Sequence, residues 1–162
     1  MGLQIVEGAA DRLDELEPLW AAMHAVHAEM ADEVAPVRPL AESWQRRRAE
    51  YWEWLAAGDT RLLIAERDGR VVGYLMLRFM GGASTWEIGE RVAEIESLSV
   101  AESERGQGVG ALLIDAAREL GAERLLVSVV HANTRARRFY EREGFEPFYL
   151  LMLERPTNER PS

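Results

Sequence analysis

The segment Arg105-Gly106-Gln107-Gly108-Val109-Gly110 constrains the fold of this chain more than any other. It stands between an alternating run, RVAEIESLSV at 91–100, and a helix-patterned run, ALLIDAARELG, that starts at Ala111. Glycines at such a strand-to-helix turn free the backbone and let it approach a ligand closely. The first turn of the following helix leaves N–H groups without partners, which suits a phosphate or pyrophosphate. Arg105 can add charge-assisted hydrogen bonds. The same glycines also have a purely structural reading. The turn lacks the Lys-Ser/Thr ending of a P-loop, and it follows a late strand, unlike a dinucleotide fingerprint.

The rest of the chain supplies alternating elements around this turn. Residues 3–6 read as a short strand. Leu13, Leu16, Trp20, Met23 and His27 recur at helical spacing and predict a helix over 11–30, with Pro18 in the first turn of its regular part. Pro36 and Pro39 punctuate a loop. A second helix is expected over 40–57, with Trp44, Arg48, Tyr51, Trp52 and Leu55 on one bulky face and Gly58-Asp59 at its end. The runs 61–67 and 70–79 flank Asp68-Gly69, a strong hairpin signal. Strands are expected at 91–100, 124–130 and 147–155, and a helix at 134–143. The order predicts an α/β fold of one domain over 1–155, a mixed sheet flanked by helices, followed by a polar tail at 156–162.

Composition narrows the chemistry. With 162 residues, 48% hydrophobic and 29% charged, the chain reads as an ordinary globular protein. It contains no Cys, which removes disulfides, thiolate metal sites and a cysteinyl-acyl intermediate. Its three His have no metal-site spacing, and no metal is expected. The formal net charge of −9 argues against nucleic acid as a partner. Neither a signal peptide nor a membrane-spanning run is evident, so the expected location is cytoplasmic, with no membrane partner.

The segment Leu98–Gly110, LSVAESERGQGVG, resembles the acetyl-CoA-binding motif of the GCN5-related N-acetyltransferase (GNAT) family. Arg105, Gly108 and Gly110 fall on its core pattern. A second match follows in NTRARRFYEREGF, where Asn133, Ala136, Phe139, Tyr140, Gly144 and Phe145 stand as in the family. The resemblance covers roughly the second half of the chain. It implies a twisted, mostly antiparallel mixed sheet whose fourth strand (92–100) and fifth strand (124–130) splay apart around the pantetheine arm of acetyl-CoA, the expected cosubstrate. Backbone groups near Leu98, Ser99 and Val100 would pair with that arm. Backbone N–H groups of Arg105, Gly106, Gln107, Gly108, Val109 and Gly110 would hold the pyrophosphate. Asn133 would contact the arm or adjoining backbone, beside its alternative role as a helix cap. Arg135, Arg137 and Arg138 form a basic group that would meet the adenosine 3′-phosphate or simply face solvent.

Acetyl transfer to an amine needs a neutral amine, a polarised thioester carbonyl and a proton for the departing thiolate. The resemblance makes Tyr140 the general acid; a phenol with its ordinary pKa of about 10 can donate at neutral pH. Glu94 and Glu96 share one face of a regular strand, the face that also carries Leu98 and Val100. Carboxylates facing a core are costly unless they line a cleft, so at least one is expected at the acceptor site. Glu96 is favoured as base, and a bulge in the strand would alter which glutamate faces in. His131 is a weaker substrate-side candidate. Trp44, Tyr51, Trp52, Trp54 and Trp86 pack the second helix and adjoining loop, or in part line an acceptor pocket.

These features predict direct transfer from acetyl-CoA to a primary amine of a small molecule or peptide in a ternary complex. A homodimer is compatible with the reading. Two rivals share the motifs: another acyl-CoA-dependent acyltransferase, with a longer acyl group or an oxygen acceptor, and a non-catalytic CoA-binding module.

Overall fold

The computed structural model describes residues 2–33 and 35–156. Strand β1 (Leu3–Gly8) is followed by a 3-10 segment (Ala10–Leu16) and helix α1 (Glu17–Glu29). The expected first helix is therefore in two parts, and Pro18 sits in the first turn of α1, where its missing N–H costs nothing. Helix α2 (Leu40–Ala57) ends on Gly58 in the left-handed conformation, φ 86°. Strands β2 (Thr60–Arg67) and β3 (Arg70–Gly81) form the hairpin. Asp68 and Gly69 both take positive φ, as a two-residue turn matched to strand twist requires. Strand β4 (Arg91–Val100), helix α3 (Val109–Arg118), strand β5 (Arg124–Val127) and helix α4 (Thr134–Arg142) complete the order.

The sheet runs β1-β2-β3-β4-β5, antiparallel except for the parallel β4–β5 pair. Each face buries its own core. On one, α3 inserts Val109, Leu113, Ile114 and Ala117 against Leu63, Leu75, Leu77 and Ile95, and α4 adds Phe139 and Tyr140. On the other, Leu13, Leu16, Leu19 and Trp20 join Trp44 and Tyr51 of α2 over Leu62, Ile64, Tyr74 and Met76. The bulky face expected on α2 is split: Trp44 and Tyr51 are buried, whereas Trp52 is exposed and Arg48 pairs with Asp14. This is the two-sided covering that the alternating element order predicts.

Two expectations are corrected. β5 ends at Val127, short of Val130. The strand expected over 147–155 is absent: residues 145–156 are irregular, and Phe148–Leu153 are exposed, from 47% at Phe148 to 93% at Leu151. The apolar run has β-forming composition, but no neighbouring strand receives it within the chain. Apart from Pro156, the expected polar tail lies outside the described residues.

Candidate active site

The glycine turn keeps its amides open. Gly106 and Gly108 take φ of 77° and 80°, a region that L side chains resist, and no atom lies within 4 Å of a Cβ built at either. Conformation therefore favours glycine at both, and the space beside them is empty. Gly110 differs: a Cβ there would stand 2.9 Å from Phe139 Cζ, so its glycine is set by α3–α4 packing. The amides of Arg105 and Gln107 already donate to Glu102 and Glu104. Those of Gly106, Gly108, Val109 and Gly110 have no acceptor among the described residues, and α3 closes its first bond only at Leu112. The result is a cluster of free donors at a helix start, the arrangement that binds phosphate oxygens. Arg67 pairs with Glu104 at 3.1 Å and anchors the approach to the turn.

Strand β4 leads into that turn and loses its neighbour on the way. The β4–β5 ladder runs from Val92–Arg124 to Ile95–Val127 and stops, while β4 continues to Val100. The last half of β4 therefore presents main-chain groups to a gap beyond the end of β5. Leu98 and Val100 pack on the α3 core, and Ser99 Oγ donates to the Leu19 carbonyl at 2.8 Å. Their side chains are committed to the fold, which leaves backbone as what they can offer a ligand.

The β3–β4 register shifts where the ladder ends. Met76 pairs with Ser97 and Leu77 with Ile95, so Glu96 is the extra residue of a bulge. The bulge reverses side-chain parity. Ile95 and Leu98 both face the α3 core, while Ser97 and Ser99 face α1 and α2. The expectation that Glu94 and Glu96 share the face of Leu98 and Val100 is thus corrected: a regular strand would put them together, and one inserted residue separates them. Glu94 stands opposite Arg78 on β3 and accepts from Ser128 Oγ at 3.3 Å, across the mouth of the gap. Burial pushes the Glu96 carboxyl above the usual carboxylate range; Glu94 raises it further, while Arg78 and Arg47 oppose.

Behind Glu96 lies a buried hydroxyl chain. Tyr51 Oη donates to Ser97 Oγ at 2.5 Å and lies 3.0 Å from Tyr74 Oη. It ties α2, β3 and β4 together at the bulge. In front of the chain, Arg47 lies over the rings of Trp20, Tyr51 and Trp54 at 5.1, 5.7 and 5.7 Å, and Arg78 over Trp54 at 4.9 Å. The aromatic residues were legible in the sequence; these two arginines were not singled out. The signal was available in Arg47, Tyr51 and Trp54, which recur at helical spacing on one face of α2.

On the other face, Tyr140 packs between Phe139 and Phe145, with ring centroids at 5.1 and 5.4 Å. Burial raises its hydroxyl further above its ordinary value, so it is a proton donor throughout the neutral range. Asn133 Oδ1 accepts from the Ala136 amide at 3.1 Å, the helix-capping role. His131, Arg135 and Arg138 are exposed. No group of metal-ligating side chains occurs among the described residues, and no helix among them is long and apolar enough to cross a membrane. A shallow hollow of about 320 Å³, lined by Gly8, Ala10, Trp52, Leu55 and Thr60, shares no residue with this site.

A mixed sheet whose parallel β4–β5 pair ends early, beside a glycine turn with free amides, defines an α/β fold with an anion-binding turn at the end of β4. Residues 22–145 match the model of the acetyltransferase (GNAT) family, and the chain belongs to that family. It is 39% identical over 98 residues to an uncharacterized N-acetyltransferase of Archaeoglobus fulgidus, covering 56% of this chain and 63% of that protein. It is 33% identical over 140 residues to the mycothiol acetyltransferase of Propionibacterium freudenreichii, covering 83% of this chain and 41% of that protein. The match thus spans about six tenths of the first relative's length and less of the second's. Among solved structures, a tetramutant of the BH1408 protein from Bacillus halodurans superposes with a TM-score of 0.78 at 19% identity, over 94% of this chain and 99% of that one. Aminoglycoside N-acetyltransferase AAC(6′)-Iy in complex with CoA superposes at 0.67 and 18% identity, over 94% and 98%. These likenesses to solved structures establish a shared fold.

Proposed function

We propose that this chain transfers the acetyl group of acetyl-CoA to a primary amine by direct attack in a ternary complex. The observation that carries the reading is the end of the β4–β5 ladder at Ile95–Val127, next to the Glu96 bulge and leading to the open amides of Gly106, Gly108, Val109 and Gly110. The pyrophosphate lies on those amides, and the pantetheine arm runs along the backbone of Leu98, Ser99 and Val100. The backbone there orients and polarises the acetyl carbonyl.

On the opposite side of the sheet, Glu96 takes the proton of the incoming amine, directly or through water, and Glu94 supports it. Its raised pKa makes it a stronger base than an exposed carboxylate. The amine attacks the carbonyl carbon, the C–S bond breaks, and Tyr140 gives its proton to the departing thiolate. CoA-bound AAC(6′)-Iy and a mycothiol acetyltransferase, both similar to this chain, favour a small-molecule amine as acceptor. Asn133 caps α4 and thereby fixes the helix that carries Tyr140; a contact with the pantetheine arm is part of the same proposal.

The test is release of CoA thiol from acetyl-CoA over a panel of amines, amino acids, polyamines, aminoglycosides and peptides. Acceptor-dependent release with a matching N-acetyl product is the expected result. Faster turnover with propionyl- or succinyl-CoA, or with an alcohol, would favour the wider acyltransferase reading. Binding of CoA with no turnover of any acceptor would favour a non-catalytic module.

A further inference from the structure

Arg47 and Arg78 are held differently from the arginines that the fold pins to carboxylates. Arg12, Arg48 and Arg67 each make a carboxylate hydrogen bond between 2.5 and 3.1 Å. Arg47 and Arg78 stand 3.4 and 3.8 Å from Glu50 and Asp59, too far for a charge-assisted hydrogen bond. Their anchorage is the stacking already described, on Trp20, Tyr51 and Trp54. A guanidinium held by aromatic rings and by no close carboxylate hydrogen bond keeps N–H donors available to a planar bidentate acceptor.

Both sit at the acceptor side of Glu96. Arg78 is opposite Glu94 in the β3–β4 register. Arg47 covers the ring of Tyr51, whose hydroxyl touches Ser97, the next residue after Glu96. Both are half-open to solvent, at 27% and 38% of side-chain surface. The three aromatic rings that would cage a bare ammonium group are already covered by Arg47, so an acceptor cannot stack its cation there while Arg47 holds this position. The wall therefore offers carboxylates to an amine and guanidinium edges to an anion, side by side.

Building on the proposed transferase reading, we propose that the acceptor is an amine that also carries a carboxylate, a free amino acid. Its amine is directed to Glu96 and its carboxylate is bound by Arg47 and Arg78.

The test compares matched acceptors at saturating acetyl-CoA: amino acids of graded amine-to-carboxylate spacing, their amides and their decarboxylated amines. The expected kcat/KM for the best acid exceeds that of its amide by about tenfold to a hundredfold, the value of a hydrogen-bonded charge. R47Q shrinks that ratio toward one, mainly through KM. Because Arg47 also packs on rings, R78Q at the more open position repeats the measurement in a variant with less packing to lose. Binding of the amino acid and of its amide to the CoA complex is followed in parallel by NMR line broadening. Equal rates for acid, amide and bare amine, with equal binding, would overturn the proposal and leave the transferase reading intact. Carboxylate-dependent binding that R47Q and R78Q abolish, without turnover of any acceptor, would uphold the anchor and count against transfer.

Discussion

The ring of Phe139 occupies the space that a side chain at Gly110 would need, with Cζ only 2.9 Å from the position of a Cβ. One contact thus joins the first turn of α3, which borders the open amides, to the helix that carries Tyr140. G110A is expected to destabilise the protein by about 1–3 kcal/mol, the usual cost of overpacking. F139L in the same background should recover part of it. Urea unfolding of the single and double variants measures both, and full additivity would contradict the contact.

Tyr140 lies in an aromatic setting with its hydroxyl held protonated. Y140F keeps the ring and removes the donor. In the proposed mechanism its proton goes to the departing thiolate, so turnover is expected to fall by about 10²–10⁴-fold, with little change in acetyl-CoA affinity. Single-turnover kinetics check this, and an unchanged rate of the chemical step would remove Tyr140 as the acid.

Glu96 is raised by burial first and by Glu94 second. Carbon-13 NMR of labelled glutamate should show it titrating above the exposed glutamates, and E94Q should move it down. The sign for stability follows. A carboxyl whose folded pKa is raised loses stability as pH climbs from the unfolded to the folded pKa, so its cost is fully present above the folded pKa. E96Q should therefore be the more stable protein at neutral pH, and its advantage should fade below the ordinary carboxylate pKa of about 4.3. Thermal melts across pH test this; an advantage that grows in acid would contradict it.

Most of the fold was legible in residues with a single strong role. Asp68-Gly69 admits only a tight hairpin, Gly58 marks the helix end with a left-handed turn, and Pro18 starts α1. Two of the misreadings have the same cause: a strand needs a partner, and pairing is not written in the strand itself. The run 147–155 has the right composition but no neighbour. The β4 bulge is invisible in ESLSV, because the inserted residue differs from its neighbours only in having nothing opposite. Arg47 escaped notice because its interest lies in three rings from two helices, brought together only by folding.

The account turns on acetyl-CoA seated at the amides of Gly106, Gly108, Val109 and Gly110, and isothermal titration of acetyl-CoA into wild-type and G108V protein tests it most directly. Gly108 sits at φ 80° with nothing within 4 Å of a built Cβ, so a side chain there strains the turn and fills the ligand's space without touching the core. The expected result is stoichiometric binding to the wild type and its loss in a G108V protein whose circular dichroism is unchanged. Wild-type affinity in that folded variant would contradict the site.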